Sequence, residues 1–163
     1  MCTINGLRRI LSGYKTIAVV GLSPQWHRPS FFAAKYMQAH GYRIVPVNPS
    51  AQEILGQRCY PSVTAAAQVL AAQGLRIDMV DCFRKSEDIA PLAVEAIAIG
   101  ARCLWLQLGV VNEAAAAKAR AAGLDVVMDR CVKIEHARLF GGLNWAGVNT
   151  GVITSRRPQQ LAY

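Results

Sequence analysis

The side chains best suited to chemistry stand at the ends of short apolar runs. "TIAVV" is followed by Gly21-Leu22-Ser23, and Arg28-Pro29-Ser30 then opens a further apolar stretch. One glycine permits a tight turn. A hydroxyl, a guanidinium and helix-start N–H groups can together hold phosphate oxygens. The same residues also suit a plain strand-to-helix turn with Pro29 in the first helical turn. The G-x-G-x-x-G run that usually holds a dinucleotide is missing. A second run ends Pro46-Val47-Asn48-Pro49, where an NAD site would carry an acid for the ribose hydroxyls. Asn48 can bond a ribose or a base without repelling a phosphate, which favours a nucleotide phosphorylated on its ribose. Asn-Pro is also an ordinary turn pair. The third run ends Phe83-Arg84, a ring to cover an adenine and a cation to face a phosphate. The fourth ends Gln107-Leu108-Gly109, with amide contacts and close backbone approach on offer.

Asp129-Arg130-Cys131 and Glu135-His136 follow the last apolar run. A thiol beside an arginine at a helix start could have a lowered pKa, and His136 could serve as its base. Five residues along a helix do not share a face, however, and Asp129 with Arg130 could be an ion pair closing the sheet edge. No catalytic residue is assigned. His27 and His40 have no neighbours at metal-ligand spacing, so no metal is expected. Cys2, Cys59, Cys82, Cys103 and Cys131 contain no C-x-x-C pair, and reduced thiols are expected.

The elements that position these residues follow from a regular rhythm. Thr16 to Leu22, Arg43 to Asn48, Ile77 to Phe83, Arg102 to Leu108 and Asp125 to Met128 are rich in Val, Ile and Leu and suit strands buried on both faces. Between them Ser30 to His40, Ser62 to Ala72, Ser86 to Ile99 and Asn112 to Ala122 are built from good helix formers, with Gly41, Gly74, Gly100 and Gly123 near their ends. The alternation predicts an α/β, Rossmann-like, doubly wound parallel sheet of about five strands, in order 3-2-1-4-5, with a ligand at the C-terminal strand ends. Residues 1–139 are expected to form one domain. The 140–163 tail, glycine-bearing and basic at its end, is expected to pack Trp145 and Val148 on it or to be partly mobile.

A formal net charge of +8 points to a polyanion: nucleic acid, an anionic surface or a multiply phosphorylated small molecule. The basic residues are scattered, without a dense tract or an aromatic-basic motif, so no nucleic acid is expected. No apolar run reaches the ~18 residues of a membrane span, and the opening residues lack a signal-peptide core. A soluble, cytoplasmic protein with a small-molecule nucleotide ligand is expected; protein partners stay unknown.

The segments "IAVVGLSP", "RPS", "AKYMQAHGYRIVPVNP", "EILGQRCYPS", "IDMVDCFRKSEDI" and "LWLQLGVVNEAAAAKARAAGLDVVMDRCVKIEHARL" resemble, in order and spacing, the small bacterial CoA-binding proteins of the YccU type. The resemblance covers about residues 15–139. It implies a stand-alone binder of CoA or acyl-CoA, similar to the N-terminal domain of the succinyl-CoA synthetase α subunit, without that enzyme's phosphorylated histidine. It further implies Gly21 and Ser23 for the phosphates, Asn48 and Pro49 at the second strand end, Phe83 and Arg84 at the third, and Gln107 to Gly109 at the fourth. An NAD(P)-dependent oxidoreductase on the same fold is the alternative.

Overall fold

The structure, a computed structural model, describes residues 2–141. Trp145, Val148 and the basic end of the tail lie outside the described residues. The chain runs α1 (Ile4–Gly13), β1 (Thr16–Val20), α2 (Pro29–Ala39), β2 (Arg43–Val47), β3 (Glu53–Ile54), β4 (Gln57–Arg58), α3 (Val63–Ala72), β5 (Met79–Cys82), α4 (Ile89–Ala98), β6 (Cys103–Leu106), α5 (Glu113–Ala121), β7 (Asp125–Val127) and α6 (Val132–Phe140). A single 3-10 turn, Ser86–Asp88, precedes α4.

The period of two sorts each strand between two cores. Ala18 and Val20 of β1 face α3, α4 and α5, while Ile17 and Val19 face α1, α2 and α6. Both faces of the sheet are therefore dry, as a parallel sheet requires. Trp105, fully buried on the second face, donates its indole N–H to the Arg130 carbonyl at 2.7 Å, which pins the β7–α6 connection to the sheet. No helix among the described residues is long and apolar enough to cross a membrane.

The five long strands form one parallel sheet in the order β2-β1-β5-β6-β7. Counting only those strands, the order is 2-1-3-4-5 and not the expected 3-2-1-4-5. The reason is visible in Pro46. On the outer side of β2 its carbonyl accepts from the Tyr60 N–H at 3.0 Å, and the Asn48 N–H donates to the Tyr60 carbonyl at 2.9 Å. With no N–H of its own, Pro46 could not serve a full ladder on that side, so β2 belongs at an edge. The next strand in sequence must go to the other side of β1. The topological switch therefore falls between β1 and β5, and their C-terminal ends open the crevice where ligands of such sheets bind.

Candidate functional site

At the switch point Gly21 turns the chain out of β1 with φ +81°. A β-carbon there would stand 2.4 Å from the Phe83 carbonyl oxygen, so the first loop and the end of β5 touch only because residue 21 has no side chain. Ser23 then bends the loop back: its N–H donates to the buried Ser30 hydroxyl at 3.0 Å, and its own oxygen accepts from the Gln25 N–H at 3.1 Å. Arg28 is the N-cap residue of α2, followed by Pro29, and no acid stands in the first helical turn.

Two cavities flank this loop. The larger, about 880 Å³, lies under Arg28, Phe83, Lys85, Gln107, Leu108 and Cys131. The smaller, about 570 Å³, lies toward β2 and the start of α3, with Asn48, Pro49 and Ser62 in its wall. Gly21, Ser23, Arg84 and Asp88 line both, so the two form one continuous trough across the strand ends. Their electrostatics differ. Arg28 and Lys85 bring positive charge to the larger, whereas Glu87 and Glu95 stand in the smaller. Arg84 between them donates to Asp88 at 3.2 Å, one turn on, in an exposed pair that a phosphate could replace at little cost.

The sequence-derived candidates fall into three groups. Gly21, Ser23, Arg28, Phe83, Arg84, Gln107 and Leu108 line the larger cavity, and Asn48 and Pro49 the smaller. Leu22 points its fully buried side chain into the core, and its carbonyl accepts from the Asn48 side-chain amide at 2.9 Å. Gly109 lines neither cavity; with φ +82° its N–H donates to Asp129 at 2.7 Å. Asn48 also accepts from the Ser50 N–H at 2.8 Å, so its side chain closes a turn and ties the second strand end to the first loop.

The residues at the end of β7 are arranged otherwise than the sequence allows one to expect. Asp129, with φ +56°, pairs with the Gly109 N–H and not with Arg130. Arg130 instead meets the fully buried Glu135 at 3.0 Å, and Arg138 meets the same carboxylate at 2.5 Å. His136 shares a hydrogen bond with the Tyr36 hydroxyl at 3.1 Å and packs among Tyr36, His40, Tyr42 and Phe140. No hydrogen bond joins it to Cys131 among the described residues. Burial pushes the Cys131 thiol up, although the N–H groups of Lys133 and Ile134 oppose this, so the lowered thiol pKa is not found. Alkylation at pH 8 is expected to modify Cys131 no faster than an unactivated thiol, and Cys82 and Cys103 only on unfolding, since both are fully buried. Peptide mapping after timed iodoacetamide treatment checks this; a Cys131 rate above that of a free thiol would restore the activated nucleophile.

Three features of the site escaped the sequence reading. Ser30 latches the first loop to α2, and Lys85 adds a cation to the larger cavity. Asp81 is the third. It is an acid within β5, 1% exposed, and among the described residues only the Gln107 side-chain amide meets its carboxylate, at 2.6 Å. Burial holds its carboxyl up at about 7, against the lowering effect of Gln107. The signal was a lone charge in "MVDC", a stretch otherwise fit for a strand buried on both faces.

Comparison with known proteins adds the following. A family described as "CoA binding domain" matches residues 15–137. The Bacillus subtilis protein YneT, itself uncharacterized, is 40% identical over 131 residues, covering 80% of this chain and 92% of that one. A solved structure of a hypothetical protein from Pyrococcus horikoshii OT3 superposes with a TM-score of 0.77 at 40% identity, over 85% of this chain and 93% of the other. A shorter match, 39% over 51 residues, is to an ADP-forming acetate–CoA ligase of Archaeoglobus fulgidus and spans 8% of that enzyme.

Proposed function

The chain belongs to the CoA-binding domain family, and from that premise we propose that it is a stand-alone binder of CoA or an acyl-CoA, seated along the trough at the strand ends. The observation that carries this reading is the Gly21 turn. It brings the backbone of the first loop against the end of β5 and leaves the start of α2, with Arg28, facing the larger cavity. The α2 start, the Ser23 hydroxyl and the Arg28 guanidinium all line that cavity, which suits a diphosphate. The uncharged base extends toward Asn48 and Pro49 in the smaller cavity, and the ribose with its phosphate stays beside Arg84, which lines both cavities. The apolar side chains of Phe83, Leu108, Val110 and Ile134 suit the pantetheine arm in the larger one. Two adjoining cavities, each of the size of a ligand pocket, suit the two ends of a long nucleotide. Residues 1–139 are the proposed binding unit, the cytoplasm the proposed location, and the net charge of +8 agrees with a ligand of several phosphates.

CoA brings its diphosphate, its ribose phosphate and a thiol. This chain's residues bind and orient it, and no ligase step is assigned to them. Arg28→Ala is expected to weaken CoA and dephospho-CoA alike, by tenfold or more, because one charge-assisted bond to phosphate contributes about 1.5–3 kcal/mol. Titration calorimetry with both ligands reads this directly. Loss confined to CoA would move Arg28 to the ribose phosphate, and unchanged affinity for both would remove it from the site.

A further inference from the structure

The fold gives no reason for Asp81. Val19 of β1 and Trp105 of β6 flank it in register, on the face packed by α1, α2 and α6. The titratable groups whose fields it reaches are thiols: Cys82 beside it, Cys103 on β6 and Cys131 ahead of α6. Arg130 and Arg138 are engaged with Glu135, and among the described residues no cation pairs with Asp81. A buried carboxylate with one neutral partner opposes folding, so an apolar residue would serve the core better. The hydrogen-bond partner of Asp81 among the described residues is Gln107. That side chain is itself 4% exposed and lines the larger cavity. A carboxylate only accepts, so it draws the amide nitrogen Nε2 inward at 2.6 Å. The oxygen Oε1 is thereby turned toward the start of α6, where the Val132 N–H reaches it at 3.4 Å, beside Cys131 and Ile134 in the cavity wall.

We propose that Asp81 is a positioning residue that, with the Val132 N–H, fixes the Gln107 amide with its oxygen toward the start of α6 at the wall of the larger cavity, where its second lone pair serves as the acceptor for an N–H or S–H donor of the bound ligand. A pantetheine arm supplies such donors in its two amides and its thiol. This assignment of the ligand rests on the CoA reading; the orientation of Gln107 does not. Neutralising Asp81 weakens the constraint, since a protonated acid or an asparagine can donate as well as accept and leaves the long contact from the Val132 N–H as the one bond that still favours this orientation.

The test has two arms on the full chain. In the ligand-free protein, the Gln107 side-chain amide resonances and the Asp81 carboxyl carbon are followed from pH 5 to 9. A shared inflection, abolished in Asp81→Asn, is expected; a Gln107 amide indifferent to the Asp81 titration overturns the proposal. In the second arm, CoA affinity is measured for wild type and Asp81→Asn across the same range, and the ratio is read so that titration of the ligand's own phosphate cancels. Wild type is expected to bind about tenfold tighter at pH 8, with the ratio approaching one at pH 5.5. A ratio that does not change with pH overturns the proposal while leaving CoA binding intact. CoA binding by neither protein, with the resonances still coupled, overturns the CoA reading and leaves the orientation of Gln107 standing. Gln107→Leu supplies an independent variant, expected to lose the same tenfold at pH 8 and to show no pH-dependent difference from Asp81→Asn.

Discussion

Gly21→Ala is expected to destabilise the protein by about 2–5 kcal/mol and to remove most of its affinity for CoA. Two costs add. A residue with a β-carbon at φ +81° is strained by about 1–2 kcal/mol. That carbon would also sit 2.4 Å from the Phe83 carbonyl, and relieving the contact forces apart two backbone segments at the centre of a close-packed sheet, about 1–3 kcal/mol more. The Gly21 N–H donates to the Val47 carbonyl at 3.0 Å, so the movement reaches the smaller cavity through β2 as well as the larger through β5. Urea denaturation gives the stability change, and calorimetry at a temperature where the variant stays folded gives the binding. An alanine variant as stable as wild type would show that the first loop does not depend on that close approach. Gly41→Ala is the matched control: φ is +85°, but the added carbon meets nothing within 4 Å, so only the conformational cost is expected.

Asp81→Asn should act in the opposite direction on stability, by an amount that grows as pH rises from about 4 and is complete above about 7. The folded carboxyl titrates at about 7 against 3.8 for the free group, so folding disfavours its charged form. Below pH 4 both states are protonated and the residue contributes no penalty. Between 4 and 7 the unfolded chain has released the proton and the folded one retains it, so stability falls as pH rises, and above 7 the full penalty is present. A shift of this size corresponds to about 4 kcal/mol as an order of magnitude. Asparagine keeps the shape and can still accept from Gln107, so the variant is expected to be more stable than wild type by about that amount at pH 8 and equal to it at pH 4. Denaturant midpoints at the two pH values measure this, and a variant no more stable at pH 8 would contradict a buried, uncompensated charge. Together with the expected loss of CoA affinity, the result would make Asp81 a residue kept for the site at the expense of the fold.

The alternation of strands and helices was legible in the chain because both faces of the sheet are covered, which leaves apolar runs distinct from alanine-rich helices. The strand order departs from the expected one because Pro46, two residues before Asn48, holds β2 at the edge. Its missing N–H is a statement about sheet position that periodicity does not carry. That Gly21, Ser23, Arg28, Phe83 and Arg84 line one cavity follows from their places at strand ends, which converge in this architecture. Leu22 and Gly109 adjoin that group in sequence, but the side chain of one belongs to the core and the N–H of the other bonds Asp129. Partners distant in sequence were beyond reach. His136 is held by Tyr36, a hundred residues away, whereas Glu135 pairs with its near neighbours Arg130 and Arg138. No spacing rule along α6 could have separated Cys131 from a base that the aromatic cluster had already taken. The hairpin of β3 and β4 was hidden for a local reason, because its turn places Leu55 at φ +54° before Gly56, a position where asparagine or aspartate would have given the usual signal.

The central claim is that the trough holds CoA, and titration calorimetry of the full chain with CoA, NAD and NADP tests it most directly. The absence of an acid at the end of β2, with Asn48 closing a turn in its place, leaves the ribose hydroxyls of NAD without their usual acceptor. The account predicts one-to-one binding of CoA, weakened by rising salt as its phosphates meet Arg28, Arg84 and Lys85, and weaker binding of both nicotinamide nucleotides. NAD or NADP binding more tightly than CoA would contradict it.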